Sequence, residues 1–143
     1  MAPGADVTAL RLLFAELLGR AENLHMVAAL VAGADVRHDM GEEHPAALTG
    51  RFVPSLDLTT GDGRTRRLAE LLRDARPLLV DLTGGNDLAV IAEAWSDRVR
   101  RVTATADDAP APALLIRLDG YVAWAGADPD GLKAALTCWF SPN

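Results

Sequence analysis

Residues 78–86 read Leu78-Leu79-Val80-Asp81-Leu82-Thr83-Gly84-Gly85-Asn86, an apolar run followed by a glycine turn. A nearly continuous apolar run of this length is typical of a central strand in a parallel sheet, because helices cover both of its faces. The turn leads into a segment from about Asn86 to Trp95 with helical spacing of apolar residues, and Val99–Thr105 again has the composition of a strand. The sequence therefore predicts a β-α-β unit.

The segments that follow predict a β-hairpin and a closing helix. Ala113–Arg117 and Tyr121–Trp124 are short apolar strands joined by Leu118-Asp119-Gly120. Asp-Gly between two such strands is a strong signal for a hairpin turn. A last helix is predicted from about Pro129 to Trp139.

A strand at Leu56–Thr59 and a helix at Arg67–Ala75 precede the β-α-β unit. A parallel unit followed by a hairpin and a helix is the thioredoxin-like arrangement, an α/β fold with a central mixed sheet flanked by helices. That fold places a cis proline just before the first hairpin strand. Pro112 occupies this position, so we expect the Ala111–Pro112 bond to be cis.

The first third of the chain is helical. Apolar residues recur there at three- and four-residue steps, and Gly19-Arg20 interrupts the pattern, which predicts helices over roughly 7–18 and 21–32, with Gly33 as the stop. Residues 34–51 have no periodicity. We therefore expect an N-terminal helical extension (1–33), a connecting loop (34–51) and a thioredoxin-like domain (52–143).

Composition excludes several classes of function. The 143 residues carry a formal net charge of −6, which argues against a nucleic-acid-binding surface. Cys138 is the one cysteine, so the chain has no internal disulfide, no cysteine cluster for zinc and no thiol redox pair; we interpret it as a small buried residue of the last helix. No apolar run approaches the roughly 20 residues that span a bilayer, and the first residues lack the pattern of a signal peptide. We expect a bacterial, cytoplasmic protein that contacts neither membrane nor nucleic acid.

Four motifs occur in an order that resembles one family. They are His44-Pro45 with Gly50–Leu58, then Leu68–Asp74, Leu79–Gly85, and the hairpin Ile116–Trp124. They resemble the C-terminal domain of FAD-dependent aromatic hydroxylases, the p-hydroxybenzoate-hydroxylase-like monooxygenases that tailor aromatic polyketide antibiotics. Leu118 stands where that family usually has proline. The resemblance implies a thioredoxin-like domain without redox cysteines, and it extends to the helices at 7–32.

The part of such enzymes that binds FAD has no counterpart in this sequence. It begins with a strand, a Gly-x-Gly-x-x-Gly turn and a helix that holds the pyrophosphate. Gly84-Gly85 is the nearest match, but it lacks the third glycine and the acidic residue that should follow. We therefore predict no cofactor, no flavin absorbance and no catalytic residues. The leading hypothesis is a non-redox accessory or interaction protein of aromatic polyketide biosynthesis.

One candidate binding site is the turn before the second predicted helix of the thioredoxin-like domain. It contains Thr83, Gly84, Gly85 and Asn86, with Pro112 expected beside it. Exposed backbone N–H groups at such a turn bind a small anion or a carbonyl. The simpler interpretation, which we favour, is a tight strand-to-helix turn with Asn86 as the N-cap.

The histidines suggest a metal site only superficially. His38 and His44 lie in an acidic loop with Asp39, Glu42 and Glu43, but without a rigid spacing of metal ligands. We therefore predict no metal site, and we interpret His44 as part of a structural turn.

The helical extension provides the candidate interface. Its large apolar residues at helical spacing are Leu10, Leu13, Phe14, Leu17, Leu24 and Val31. These side chains either fold back on the domain or bury themselves against another chain, and we expect a homodimer or a hydroxylase-type protein partner. The alternative hypothesis is a cofactor-free enzyme or binding protein that holds a polycyclic aromatic polyketide against Trp95, Trp124 or Tyr121.

Overall fold

The computed structural model describes residues 5–31 and 36–141. The chain divides into two compact units, Met1–Asp35 and Val36–Asn143. No helix within the described ranges is long and apolar enough to cross a membrane.

The first unit is a pair of helices, α1 (Ala5–Leu18) and α2 (Ala21–Val31). The break between them falls at the predicted place: the N–H of Gly19 donates to the Ala15 carbonyl at 3.0 Å and ends α1. The Asn23 side chain then donates to the Leu17 carbonyl at 2.9 Å and satisfies part of the exposed end of α1. Gly33, the predicted end of the second helix, lies outside the described residues.

The second unit is built around a six-stranded mixed sheet in the order β2-β1-β4-β3-β5-β6. The elements are β1 (Asp57–Thr60), β2 (Thr65–Arg67), α3 (Leu68–Leu71), β3 (Leu78–Asp81), α4 (Asp87–Glu93), β4 (Arg100–Thr105), β5 (Ala113–Ile116), β6 (Val122–Ala125) and α5 (Pro129–Phe140). β3 pairs with β4 in parallel and with β5 antiparallel, and β5 pairs with β6 antiparallel. The predicted α/β fold, with a β-α-β unit followed by a hairpin and a helix, is confirmed.

The sheet separates two hydrophobic clusters, because successive residues of a strand point to opposite faces. In β3, Leu78 and Val80 belong to one cluster and Leu79 to the other. The first cluster is completed by α3 and by residues of the preceding loop, and the second by α4 and α5. All four residues of β3 are buried, as the apolar run predicted.

Residues 50–53 run along the outer edge of β6, a contact that the sequence did not predict. The N–H of Gly50 donates to the Val122 carbonyl at 2.8 Å, and the N–H of Val122 donates to Arg51 at 2.9 Å. The N–H of Val53 donates to the Gly120 carbonyl at 2.9 Å. We call residues 36–53 the edge strap. It satisfies backbone groups that an open sheet edge would leave unpaired.

Two local predictions were wrong. All peptide bonds in the described ranges are trans, including the one before Pro112. The Pro112 carbonyl accepts a hydrogen bond from the N–H of Leu82 at 2.9 Å and so extends the β3–β5 ladder in the trans form, which X–Pro bonds prefer. The helix predicted from Arg67 to Ala75 is one turn of α-helix followed by a 3₁₀ turn, because Arg67 is the last residue of β2 and Ala75 adopts a left-handed conformation.

Candidate functional site

The turn after β3 is organised by Asp81, whose side chain is fully buried. Oδ1 accepts hydrogen bonds from the Thr83 hydroxyl at 2.6 Å and the Thr83 N–H at 3.1 Å. Oδ2 accepts one from the Arg101 guanidinium at 2.8 Å. Burial by itself raises the pKa of Asp81, but these three donors outweigh it and hold the pKa below its usual value. Asp81 is therefore a charged structural anchor.

The candidate turn residues are brought together, and two of them bind each other. The N–H of Gly85 donates to the Thr83 hydroxyl at 3.2 Å, and Gly84 has a φ of +68°, which glycine tolerates. Pro112 lies beside the turn through its bond to Leu82. Since the turn uses its own polar groups, its geometry supports the structural interpretation.

Asn86 occupies the N-cap position of α4, as predicted, but its side chain does not make the capping hydrogen bond that the prediction implied. Its φ of −99° and ψ of −12° are already helical, whereas a capping side chain usually needs an extended backbone. The Asn86 carbonyl instead accepts from the N–H groups of Ala89 and Val90.

The histidines of the edge strap do not form a metal cluster. Within residues 5–31 and 36–141, no group of three or more His, Cys, Asp or Glu side chains is arranged to hold a metal ion. The His38 ring lies edge-on to Tyr121, with ring centroids 4.6 Å apart, and Tyr121 in turn contacts Phe52 at 5.6 Å. His38 therefore belongs to an aromatic contact between the strap and the hairpin.

Cys138 is exposed, so its interpretation as a buried residue was wrong. The buried residues of α5 are Leu132, Ala135 and Leu136, which follow helical spacing along one stripe. Cys138 falls beside that stripe and lines a cavity.

This cavity, of about 500 Å³, is a feature that the sequence analysis missed. It lies between the edge strap and the C-terminal part of the unit, and we call it the strap cavity. Its lining residues are Met40, Gly41, Glu42, Glu43, His44, Ala46, Trp124, Ala125, Gly126, Asp128, Gly131, Ala134, Ala135 and Cys138. The feature of the sequence that could have predicted this cavity is the series of glycines and alanines between residues 125 and 135, since small side chains leave space beside a helix.

Trp139 of α5 contacts the strap over this region, because its indole N–H donates to the Met40 carbonyl at 3.4 Å. The Arg117 guanidinium lies 4.4 Å from the centre of the Trp139 ring and packs on it from outside the strap. Arg37 donates to the carbonyls of Thr49 and Ala46, both at 3.0 Å, and closes the strap on itself.

Comparison with known proteins identifies the family. A family model described as "Aromatic-ring hydroxylase, C-terminal" matches residues 46–143. The chain is 43% identical over 149 residues to 12-dehydrotetracycline 5-monooxygenase/anhydrotetracycline 6-monooxygenase of Streptomyces rimosus subsp. rimosus, with 98% of this chain and 29% of the relative covered. The chain belongs to the aromatic-ring hydroxylase C-terminal family.

Other relatives of the chain show the same partial coverage. Rifampicin monooxygenase of Streptomyces venezuelae is 36% identical over 132 residues, covering 92% of this chain and 25% of the relative. The solved structure of anhydrotetracycline hydroxylase from Streptomyces rimosus superposes with a TM-score of 0.72 at 43% identity, covering 94% of this chain and 29% of that one. The chain thus spans less than a third of the length of these relatives.

The helical unit is also shared with the family's larger enzymes. The family model begins at residue 46, yet the alignment with the tetracycline monooxygenase covers 98% of the chain and so includes α1 and α2. In this unit the side chains of Leu10, Leu13, Phe14, Leu17 and Leu24 are about half exposed (47–55%). The side chain of Val31, the sixth predicted interface residue, lies outside the described residues.

Proposed function

We propose that this chain is a non-redox binding module of an aromatic polyketide hydroxylase, which holds the remainder of such an enzyme through its helical unit. The observation that carries the proposal is the exposed apolar face of α1, formed by Leu10, Leu13, Phe14 and Leu17. The family's larger monooxygenases contain the matching segment within chains more than three times as long. The remainder of such a chain is therefore the occupant that this face fits.

The spacing of these residues supports one continuous contact surface. Positions i, i+3, i+4 and i+7 lie along one side of a helix. Each large apolar side chain gains roughly 1.5–3 kcal/mol when it passes from full exposure to full burial. Because these side chains are already about half covered, each has roughly half of that gain left, and the four together contribute about 3–6 kcal/mol before the cost of association is subtracted.

The described residues support binding rather than chemistry. Asp81, the fully buried carboxylate, is already engaged by Arg101 and Thr83. Cys138 is exposed and is the chain's one cysteine, so it has no internal partner for thiol exchange. We therefore assign the chain a structural contribution to a hydroxylase assembly in antibiotic biosynthesis.

Size-exclusion chromatography with light scattering tests the proposal. The partner is the Streptomyces rimosus tetracycline monooxygenase from which the matching C-terminal segment has been removed. We expect the 15.2 kDa chain to elute with this truncated enzyme as a one-to-one complex. A cooperative melting transition of the truncated enzyme is the control that it is folded.

Two leucines of α1 provide a matched pair of variants. Leu17→Asp places a charge in the apolar face and should abolish co-elution. Leu12 lies on the opposite side of α1 and is 68% exposed, so Leu12→Asp should bind as the unmodified chain does. Equal binding by both variants would contradict the proposed surface. A homodimer of the chain that excludes the truncated enzyme would replace it with self-association.

A further inference from the structure

A groove of the α/β unit lies between the turn of the β5–β6 hairpin and α3, and we call it the hairpin groove. Its volume is about 480 Å³, within the range of roughly 300–1,000 Å³ that is usual for small-molecule sites. Val53 and Leu68 of its lining belong to the core, whereas Phe52 is 47% and Leu118 66% exposed. Large apolar side chains left in contact with water at one concave surface are typical of a binding site.

The ring of Phe52 is held in place at this groove. A Cβ atom at Gly120 would lie 2.6 Å from a ring carbon of Phe52, so the ring packs directly on the backbone of the glycine. The ring also lies edge-on to Tyr121, with ring centroids 5.6 Å apart. A side chain that is fixed before a ligand covers it loses little conformational freedom on binding.

The charged side chains at the groove leave one cation without a partner. The carboxylate of Asp119 already pairs with the Arg117 guanidinium at 2.8 Å. The exposed guanidinium of Arg73 makes no hydrogen bond or ion pair with another described residue, and the hydroxyl of Ser55 makes no hydrogen bond with one. Both groups are donors that a carboxylate accepts. The groove therefore combines an apolar wall with open donors for an anion.

We propose that the hairpin groove binds a small amphipathic carboxylate of the medium-chain alkanoate class. The alkyl chain covers Phe52 and Leu118, and the carboxylate accepts from Arg73. Phe52 is the one aromatic side chain of the lining, and the other apolar side chains there are aliphatic, which favours a flexible alkyl chain over stacked rings. The site lies wholly within the α/β unit and does not depend on the α1 face.

Titration of the full chain with sodium octanoate tests this site, with the backbone amide NMR signals of Ala69 and Gly120 as the measurement. We expect both signals to shift saturably at octanoate concentrations below those that form micelles. Each methylene group that leaves water tightens binding by up to about fourfold, so hexanoate, which is two methylenes shorter, should bind roughly tenfold more weakly. Octylammonium has the same chain length and the opposite charge, and it should bind more weakly than octanoate because Arg73 repels it.

Variants at the rim separate the charge from the apolar wall. Arg73→Gln should weaken octanoate binding about threefold, the usual effect of an exposed ion pair, and leave the binding of uncharged 1-octanol unchanged. Arg67→Gln is the matched control, because Arg67 is an exposed arginine of β2 that does not line the groove. Ala69→Phe fills the groove and should abolish the shift of the Gly120 signal, whereas Glu70→Phe, at the neighbouring exposed position, should not.

Three outcomes would overturn the proposal: no saturable shift, equal binding of octanoate and octylammonium, or unchanged octanoate binding by Arg73→Gln. A change in the Ala69 and Gly120 signals on dilution of the chain alone would assign the groove to a second copy of the chain, and would overturn it as well. Because the titration contains only this chain, its failure leaves the co-elution result for the α1 face intact.

Discussion

Asp81 and Arg101 form an ion pair in which the carboxylate is fully buried and the guanidinium is 29% exposed. We expect Asp81→Asn to lower the free energy of unfolding at neutral pH by about 1–3 kcal/mol, the usual value for hydrogen bonds to a buried charge. The pKa of Asp81 is lowered on folding, so its contribution is present above the unfolded value of about 3.9 and is lost as the pH falls below it. Urea unfolding at neutral and acid pH should show the variant's deficit shrinking in acid. Asp107→Asn, at an exposed position, is the control, and a deficit that does not change with pH would contradict the assignment.

The pKa of Glu42 is shifted in the opposite direction to that of Asp81. Burial raises the pKa of its carboxyl group, and the nearby polar groups of Thr49, Ala46 and Arg37 do not offset that effect. A carboxyl group whose pKa is raised on folding destabilises the folded state as the pH rises through that pKa. We expect Glu42→Gln to raise the melting temperature at neutral pH. The free energy of unfolding should rise by less than about 1 kcal/mol, because solvent screens part of the charge. The gain should disappear below about pH 4, where the carboxyl group is protonated in both states. A gain that persists in acid would show that the charge is not its cause.

Among the elements, the edge strap depends on one glycine. Gly50 has a φ of +82°, and a Cβ atom there would lie 1.9 Å from the His38 carbonyl oxygen. Gly41 has a similar φ of +83°, but a Cβ atom there would contact nothing within 4 Å. Gly41→Ala should therefore lower the free energy of unfolding by only about 1–2 kcal/mol, the strain of a left-handed backbone. Gly50→Ala should lower it by clearly more, because the strap must move off β6. Thermal unfolding of both variants measures the difference, and equal losses would show that the strap is not held at Gly50.

The elements also show which features can be predicted from sequence. The β3-α4-β4 unit and the hairpin were predictable because each has a side-chain period or an Asp-Gly turn that local physics dictates. The pairing of residues 50–53 with β6 was not, since it uses backbone groups that every residue has. The strap cavity escaped prediction for a related reason: its walls come from segments about 80 residues apart, which no local sequence pattern connects.

At the scale of the whole molecule, the chain joins a packed α/β unit to a helical unit with an exposed apolar face. The fold class and the family resemblance were both predictable, because the four motifs lie within strands, turns and short helices of the second unit. The sequence predicts that the helical unit is an interface but leaves its partner open, because an apolar stripe has the same pattern whichever surface covers it.

We propose that this chain binds the remainder of an aromatic-ring hydroxylase and thereby stabilises it. The most direct measurement is the melting temperature of the truncated Streptomyces rimosus monooxygenase as a function of added chain. A bound partner adds about 2.7 kcal/mol to the free energy of unfolding of the truncated enzyme when the free chain is at a hundredfold excess over Kd. The melting temperature of the truncated enzyme should therefore rise with the concentration of the chain. Leu12→Asp should give the same rise as the unmodified chain, and Leu17→Asp should give none. A melting temperature that does not change at any concentration of the chain would contradict the account.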